Sequence, residues 1–213
     1  MGKAVSRGVI LCAGPVTDVE ALRGLLRPDD RFLAADGGWR LARRLGIVPE
    51  WLVADFDSMP PPDLPEGVRV RRLPVQKDVT DAAAAARIAL EEGCRELLLL
   101  GATGGRLDHQ QGAVVLAATL AREGCTVTLA DERNEIAVYT CSPGELTPRP
   151  GCKVSLFAFG GPVTGLTVTG LAYELTDYAL SPYDALCVSD EFTDKPATVT
   201  FREGTLLLFY SKD

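Results

Sequence analysis

Up to about residue 130, short apolar runs alternate with longer stretches in which apolar residues recur every three to four positions. That is the pattern of strands followed by amphipathic helices, and so of a parallel sheet. Strands are expected at Gly8–Ala13, Phe32–Ala35, Trp51–Asp55, Val68–Leu73, Glu96–Leu100 and Val127–Ala130, with helices at Asp18–Leu26, Gly38–Leu45, Thr80–Glu92 and Leu107–Glu123. After Asp131 the helical period disappears. Short β-rich runs follow at Asn134–Thr140, Lys153–Phe159, Leu166–Thr169, Ala185–Val188, Ala197–Phe201 and Thr205–Tyr210, punctuated by Gly and Pro. The last two, joined by Arg202-Glu203-Gly204, read as a hairpin. The fold class expected is therefore α/β: a parallel α/β sheet domain over residues 1–131, then an antiparallel β-sandwich over 132–213.

Composition narrows the function classes. The 213 residues are 46% hydrophobic and 24% charged, the balance of a globular protein, and the net charge is −7. Net acidity without a basic cluster argues against nucleic acid as a partner. No apolar run reaches the ~18–20 residues needed to cross a bilayer, and the start MGKAVSRGVILCAG lacks a signal peptide's apolar stretch, so a cytoplasmic location without a membrane partner is expected. The six cysteines are scattered, with no C-x-x-C pair and one histidine, which favours buried reduced thiols over a zinc site.

In an open parallel sheet, ligands bind beyond the carboxyl ends of the strands. Four loops there are unusual: Asp36-Gly37-Gly38, Asp55-Phe56-Asp57-Ser58, the segment from Gln76 through Lys77, Asp78 and Thr80 to Asp81, and the Gly-rich run from Gly101 to His109. Three of them have a structural alternative. Asp55 and Asp57, two apart on an extended segment, would put both carboxylates on one side for a divalent cation, but D-F-D-S-M-P also suits a turn. Asp78 and Asp81 could cap the next helix, which leaves Lys77 and Thr80 unexplained. The run containing Gly104, Arg106 and Asp108 opens a helix, where backbone amides favour anions, yet a Gly-rich turn needs no ligand. It matches neither a Walker A sequence nor the dinucleotide fingerprint. His109 is as suited to bracing this loop as to moving protons. Convergence favours function. Four loops at one sheet edge all carry Asp, and two add Lys, Thr or Arg. Crowded Asp36, Asp55, Asp57, Asp81 and Asp108 would repel one another unless cations neutralise them, and hard oxygen ligands point to magnesium completed by substrate phosphates.

At these residues the chain resembles the bacterial thiamine pyrophosphokinases over essentially its whole length. The matching motifs are ADGG, Asp36–Gly38 with Ala35 before it, DFDS at Asp55–Ser58, KDxTD at Lys77–Asp81 and GATGGRLDH at Gly101–His109. Downstream follow DERNEI at Asp131–Ile136, GLAYEL at Gly170–Leu175 and VSDEF before the final strands. The resemblance implies transfer of the pyrophosphoryl group of ATP to thiamine, giving thiamine diphosphate and AMP. It implies a Rossmann-like nucleotide domain, a β-sandwich, and a homodimer with sites between subunits. Asp55, Asp57 and Asp81 then correspond to magnesium carboxylates and catalytic residues, with Asp108 a further catalytic acid. Asp36, Gly37, Lys77, Thr80, Gly104, Arg106 and His109 correspond to the ATP and phosphate site, and Ser189 and Asp190 to the thiamine pocket.

Three departures stand out. Ala54 replaces the usual Gly before DFDS, Ser189-Asp190-Glu191 replaces S-N-E, and Ala113 stands where the helix commonly carries Asn. Two other classes share these features: a metal-dependent phosphohydrolase using the same carboxylates, and a non-catalytic thiamine or nucleotide binder. AMP formation that depends on thiamine separates the kinase from both.

Overall fold

The computed structural model describes residues 6–57, 62–74, 76 and 78–213. The chain divides into two compact units, 1–117 with 124–132, and 118–123 with 133–213. In the first, β1 (Gly8–Leu11), α1 (Val19–Arg23), β2 (Arg31–Ala35), α2 (Gly38–Leu45), β3 (Trp51–Ala54), β4 (Arg69–Arg72), α3 (Asp81–Glu91), β5 (Glu96–Leu100), α4 (Leu107–Arg122) and β6 (Thr126–Ala130) follow in chain order. The strands lie in the order β4-β3-β2-β1-β5-β6, every pairing parallel.

The central strands GVIL and ELLLL are apolar without alternation because both of their faces are covered, and Val9, Ile10, Leu11, Leu99 and Leu100 are fully buried. Leu41, Ala42 and Leu45 of α2 pack with Trp39 against Val9, Leu11, Leu52 and Leu100 on one side of the strands. Each such leucine stabilises the fold by roughly 1.5–3 kcal/mol. The last strand in the order, β4, is RVRR and wholly exposed. Its Arg69 stacks on the Trp51 ring and pairs with Glu92, so the edge is charged and discourages pairing with another chain.

In the second unit, β7 (Asn134–Tyr139), β13 (Leu206–Ser211) and β9 (Lys153–Ala158) form antiparallel pairs in the order β7-β13-β9. A separate four-stranded antiparallel sheet has the order β11 (Leu175–Leu180), β10 (Val163–Thr169), β12 (Thr198–Thr200), β8 (Gly144–Glu145). Val154, Leu156, Leu206 and Leu208 from the first set share one apolar cluster with Val163, Leu166, Val168, Leu180 and Val199 from the second.

Several expectations fail here. Residues 197–201 and 205–210 form no hairpin: β12 pairs with β10 and β8, while β13 pairs with β7 and β9. Arg202-Glu203-Gly204 carries the chain from one sheet to the other, and Gly204 is required because a Cβ there would lie 2.7 Å from the Pro162 carbonyl. Ala185–Val188 is not a strand; its Leu186, Cys187 and Val188 line a cavity instead. Leu175–Leu180 is a strand that sequence pattern missed, since register shifts along β10 and a left-handed Asp177 break its alternation. Cys12, Cys94 and Cys125 are buried and in no disulfide, but Cys141 is exposed and Cys152 and Cys187 are half-buried. No described helix is long and apolar enough to cross a membrane.

Candidate functional site

The parallel order places β1 between β2 and β5, so the direction of strand succession reverses beside β1, and the loops after β1, β2 and β5 open at the same sheet edge. They approach closely through glycine. Gly14 donates its N–H to the Gly101 carbonyl at 2.7 Å, and a Cβ on Gly14 would sit 2.4 Å from that oxygen. At Gly38, the first residue of α2, a Cβ would lie 1.9 Å from the Leu11 carbonyl. The loop after β1, Cys12-Ala13-Gly14-Pro15, was not among the four singled out by sequence; its signal was a glycine directly after an apolar strand.

Asp36 ends β2 in a left-handed conformation, φ 45°, with its N–H bonded to the Val53 carbonyl at 2.8 Å. Gly37 is the N-cap of α2 and supplies no side-chain cap. This puts Asp36 at the positive end of that helix. After β3 the chain does not stay extended. Phe56 has φ 62°, and the Asp57 N–H donates to Asp55 Oδ1 at 3.1 Å, a turn of the kind Asp favours. The premise that Asp55 and Asp57 project from one side of an extended strand is therefore replaced by a turn that Asp55 itself braces. Ser58 and Lys77 lie outside the described residues.

At α3 the cap is Thr80, whose Oγ1 accepts from the Ala83 N–H at 3.1 Å; Asp81 is the first helical residue and Asp78 is not the cap. In the Gly-rich loop Arg106 donates both prongs of its fork to Asp108, Nε to Oδ1 at 3.1 Å and Nη2 to Oδ2 at 2.6 Å, and the His109 N–H also donates to Oδ1. The Arg106 bonds hold the exposed Asp108 carboxyl down to about 2, assisted by the His109 amide. The Gly104 N–H donates to Gln110 Oε1 at 3.3 Å.

Two acids just after β6 brace this edge. Thr103, buried in the Gly-rich loop, donates its hydroxyl to Asp131, and Glu132 Oε1 accepts both the N–H and the hydroxyl of Thr17 at 2.9 and 2.6 Å. Sequence reading quoted Asp131 and Glu132 only within a motif; an acidic pair directly after a strand was the available signal. Asp36, Asp55, Asp57, Asp81 and Asp108 thus flank one edge, but among the described residues no three acids, histidines or cysteines gather as a metal-binding group. The donor chemistry, all carboxylate oxygen, still fits magnesium.

The second unit holds a cavity of about 590 Å³ lined by residues of β9, β10, β11 and the segments Leu171–Glu174 and Leu186–Asp190. That volume suits a small organic molecule. Its walls are mostly aliphatic, with Asp190 set among them. Asp190 is 8% exposed and exchanges two backbone hydrogen bonds with Val154 at 2.8 Å, while its Oδ1 accepts the N–H groups of Tyr173 and Glu191 at 3.2 and 2.8 Å. Ser189 has φ 62°, is exposed, and bonds through its N–H to Ser155 Oγ at 3.0 Å; it does not line the cavity. Of the two residues expected in the organic-substrate pocket, only Asp190 is in the wall.

Comparison with known proteins meets this geometry on both units. Residues 22–129 match the thiamin pyrophosphokinase catalytic domain, and residues 145–206 match the thiamin pyrophosphokinase vitamin B1 binding domain, the segment that contains every residue of the cavity wall. A thiamine pyrophosphokinase of Bacillus subtilis is 27% identical over 96% of this chain and 98% of its own. A crystal structure of the Bacillus subtilis thiamine pyrophosphokinase superposes with TM-score 0.86 at 25% identity, covering 98% of this chain and 100% of that one. One from Geobacillus thermodenitrificans superposes with TM-score 0.79 at 30% identity, covering 97% and 98%. With both domain models matched in order and whole-length relatives of the same kind, the chain belongs to the thiamin pyrophosphokinase family.

Proposed function

We propose that this protein transfers the pyrophosphoryl group of ATP to the hydroxyethyl oxygen of thiamine, producing thiamine diphosphate and AMP. The observation that carries the reading is the cavity: it lies wholly within the segment matched by the vitamin B1 binding domain and has an aliphatic wall with one buried carboxylate. Residues 1–131 act as a Rossmann-like nucleotide and metal domain, supported by six parallel strands with helices between them. Residues 132–213 act as a β-sandwich for thiamine, supported by the apolar cluster common to its two sheets. A homodimer with sites between subunits and a cytoplasmic location, where ATP is supplied, complete the proposal.

Asp55, Asp57 and Asp81 are the carboxylates that would hold magnesium, which when bound neutralises the polyphosphate oxygens and draws electrons from the phosphorus under attack. Lys77, Thr80 and Arg106 take the phosphates. Thr80 does so while capping α3, because the lone pair that accepts from Ala83 leaves the hydroxyl proton for a phosphate oxygen. Gly37 and Gly104 let the backbone approach the nucleotide, with Asp36 and His109 alongside. A carboxylate held near 2 is a weak base, so Asp108 serves to aim Arg106 rather than to receive the thiamine proton. Asp190, with neighbouring Ser189, holds the organic substrate.

The test incubates the full chain with ATP, magnesium chloride and thiamine. Thiamine diphosphate and AMP should appear in equal amounts and only together. Phosphate release from ATP without thiamine would favour the phosphohydrolase instead.

A further inference from the structure

The exposed edge strand β4 ends on a cation, Arg72, that pairs in register with Ala54, the residue directly before Asp55. The Leu73 N–H donates to the Ala54 carbonyl at 2.9 Å, so β4 runs alongside β3 up to the start of the DFDS turn. From there the Arg72 guanidinium reaches over the ring of Phe56, 5.6 Å from its centroid. Phe56 stands between Asp55 and Asp57 and is half-buried against the apolar cluster that contains Leu11, Trp39 and Leu52. A ring anchored in this way gives the cation a fixed seat at the turn that carries both carboxylates.

Arg72 has no acid of its own. Stacking uses the face of a guanidinium and leaves its N–H donors, which lie in the plane, for another partner. Among the described residues none accepts from them, and no ion pair involves Arg72. Other arginines of this unit are committed: Arg7 to Asp30, Arg31 and Arg69 to Glu50 and Glu92, and Arg106 to Asp108 through Nε and Nη2. We propose that Arg72 is a further polyphosphate-binding residue of the ATP site, its fork taking phosphate oxygens beside the DFDS turn while its face stays on Phe56. The inference rests on the reading of this edge as the ATP and metal site. A planar fork matches two oxygens of one phosphate, and it supplies donors that Arg106 has already turned toward Asp108.

Arg72→Gln removes the charge and the fork but keeps a planar group that can lie on the Phe56 ring. Arg71→Gln is the control, because it removes the same charge one residue away on the opposite face of β4. Binding of α,β-methylene-ATP, whose carbon bridge replaces the oxygen that transfer would cleave, is measured calorimetrically on the full chain in magnesium chloride. Arg72→Gln should weaken it about tenfold and Arg71→Gln less than about twofold. In steady-state turnover Arg72→Gln should raise the KM for ATP about tenfold with kcat nearly unchanged, a split that general damage to the turn would not give. An Arg72→Gln protein that binds the analogue as tightly as the native one overturns the assignment, as do equal losses in the two variants or a fall in kcat with KM unchanged. A native protein that binds no analogue overturns the ATP-site reading and the assignment with it, so the two failures are told apart by the native protein alone.

Discussion

The first unit places its candidate carboxylates in loops beyond strand ends, where Asp36, Asp55 and Asp81 are half-buried and Asp57 and Asp108 exposed; the second places Asp190 at 8% exposure inside a walled cavity. The difference matches what each must bind. A polyphosphate is large, highly charged and strongly hydrated, and is met by oxygen ligands, cations and helix ends on an open edge. An organic ring is met by a mostly aliphatic wall that also carries a buried carboxylate. Open loops depend on residue type and on backbone approach, whereas a cavity depends on a wall assembled from several strands.

The largest effect expected on the open side is chemical. Asp55→Asn, Asp57→Asn or Asp81→Asn should each lower turnover by roughly 10²-fold or more, with chelation of the divalent cation doing the same, while the melting temperature holds. Steady-state kinetics beside a thermal melt would check this, and full activity in excess chelator would remove the metal from the account. Next comes the backbone on which that edge depends. Gly38→Ala forces a Cβ against the Leu11 carbonyl, which should cost about 2–3 kcal/mol in denaturant unfolding. A loss under about 0.5 kcal/mol would mean the loops have slack that the packing does not show.

A smaller effect belongs to the phosphate cations. Arg106→Ala and Lys77→Ala should each raise the KM for ATP about tenfold and leave the affinity for thiamine intact. Loss of thiamine binding in either would blur the division between the two regions. Because Arg106 holds Asp108 near 2, below its ordinary 3.8, the pair favours the folded arrangement above the ordinary value, and that contribution fades as pH falls through the folded value. An NMR titration should find Asp108 returning toward 3.8 in Arg106→Gln. The smallest effect is a gain: Gly112 in α4 faces open space, so Gly112→Ala should stabilise by about 0.5–1 kcal/mol.

The parallel half was readable in the sequence because its signal is local. Strands such as ELLLL are buried on both faces and cannot be mistaken for amphipathic runs, and Asp or Gly directly after a strand marks the ligand edge. The readings that failed there concern geometry at single residues, such as the turn at Phe56 and the cap at Thr80 rather than Asp78, which depend on backbone angles that composition does not fix. In the β-rich half the signal is non-local. ALCV at 185–188 is as apolar as a strand, yet its Leu186, Cys187 and Val188 line a cavity, and Leu175–Leu180 is masked by its polar residues and by a bulged partner. Whether 197–201 and 205–210 pair with each other or with strands far away in sequence is decided by which sheet each joins.

The central claim is pyrophosphoryl transfer from ATP to an organic cation held by the second unit. It is tested most directly by supplying ATP labelled on its β-phosphorus together with thiamine and magnesium. The label should appear in thiamine diphosphate with unlabelled AMP as the other product; label retained in ADP, or released as inorganic phosphate or pyrophosphate, would contradict the account.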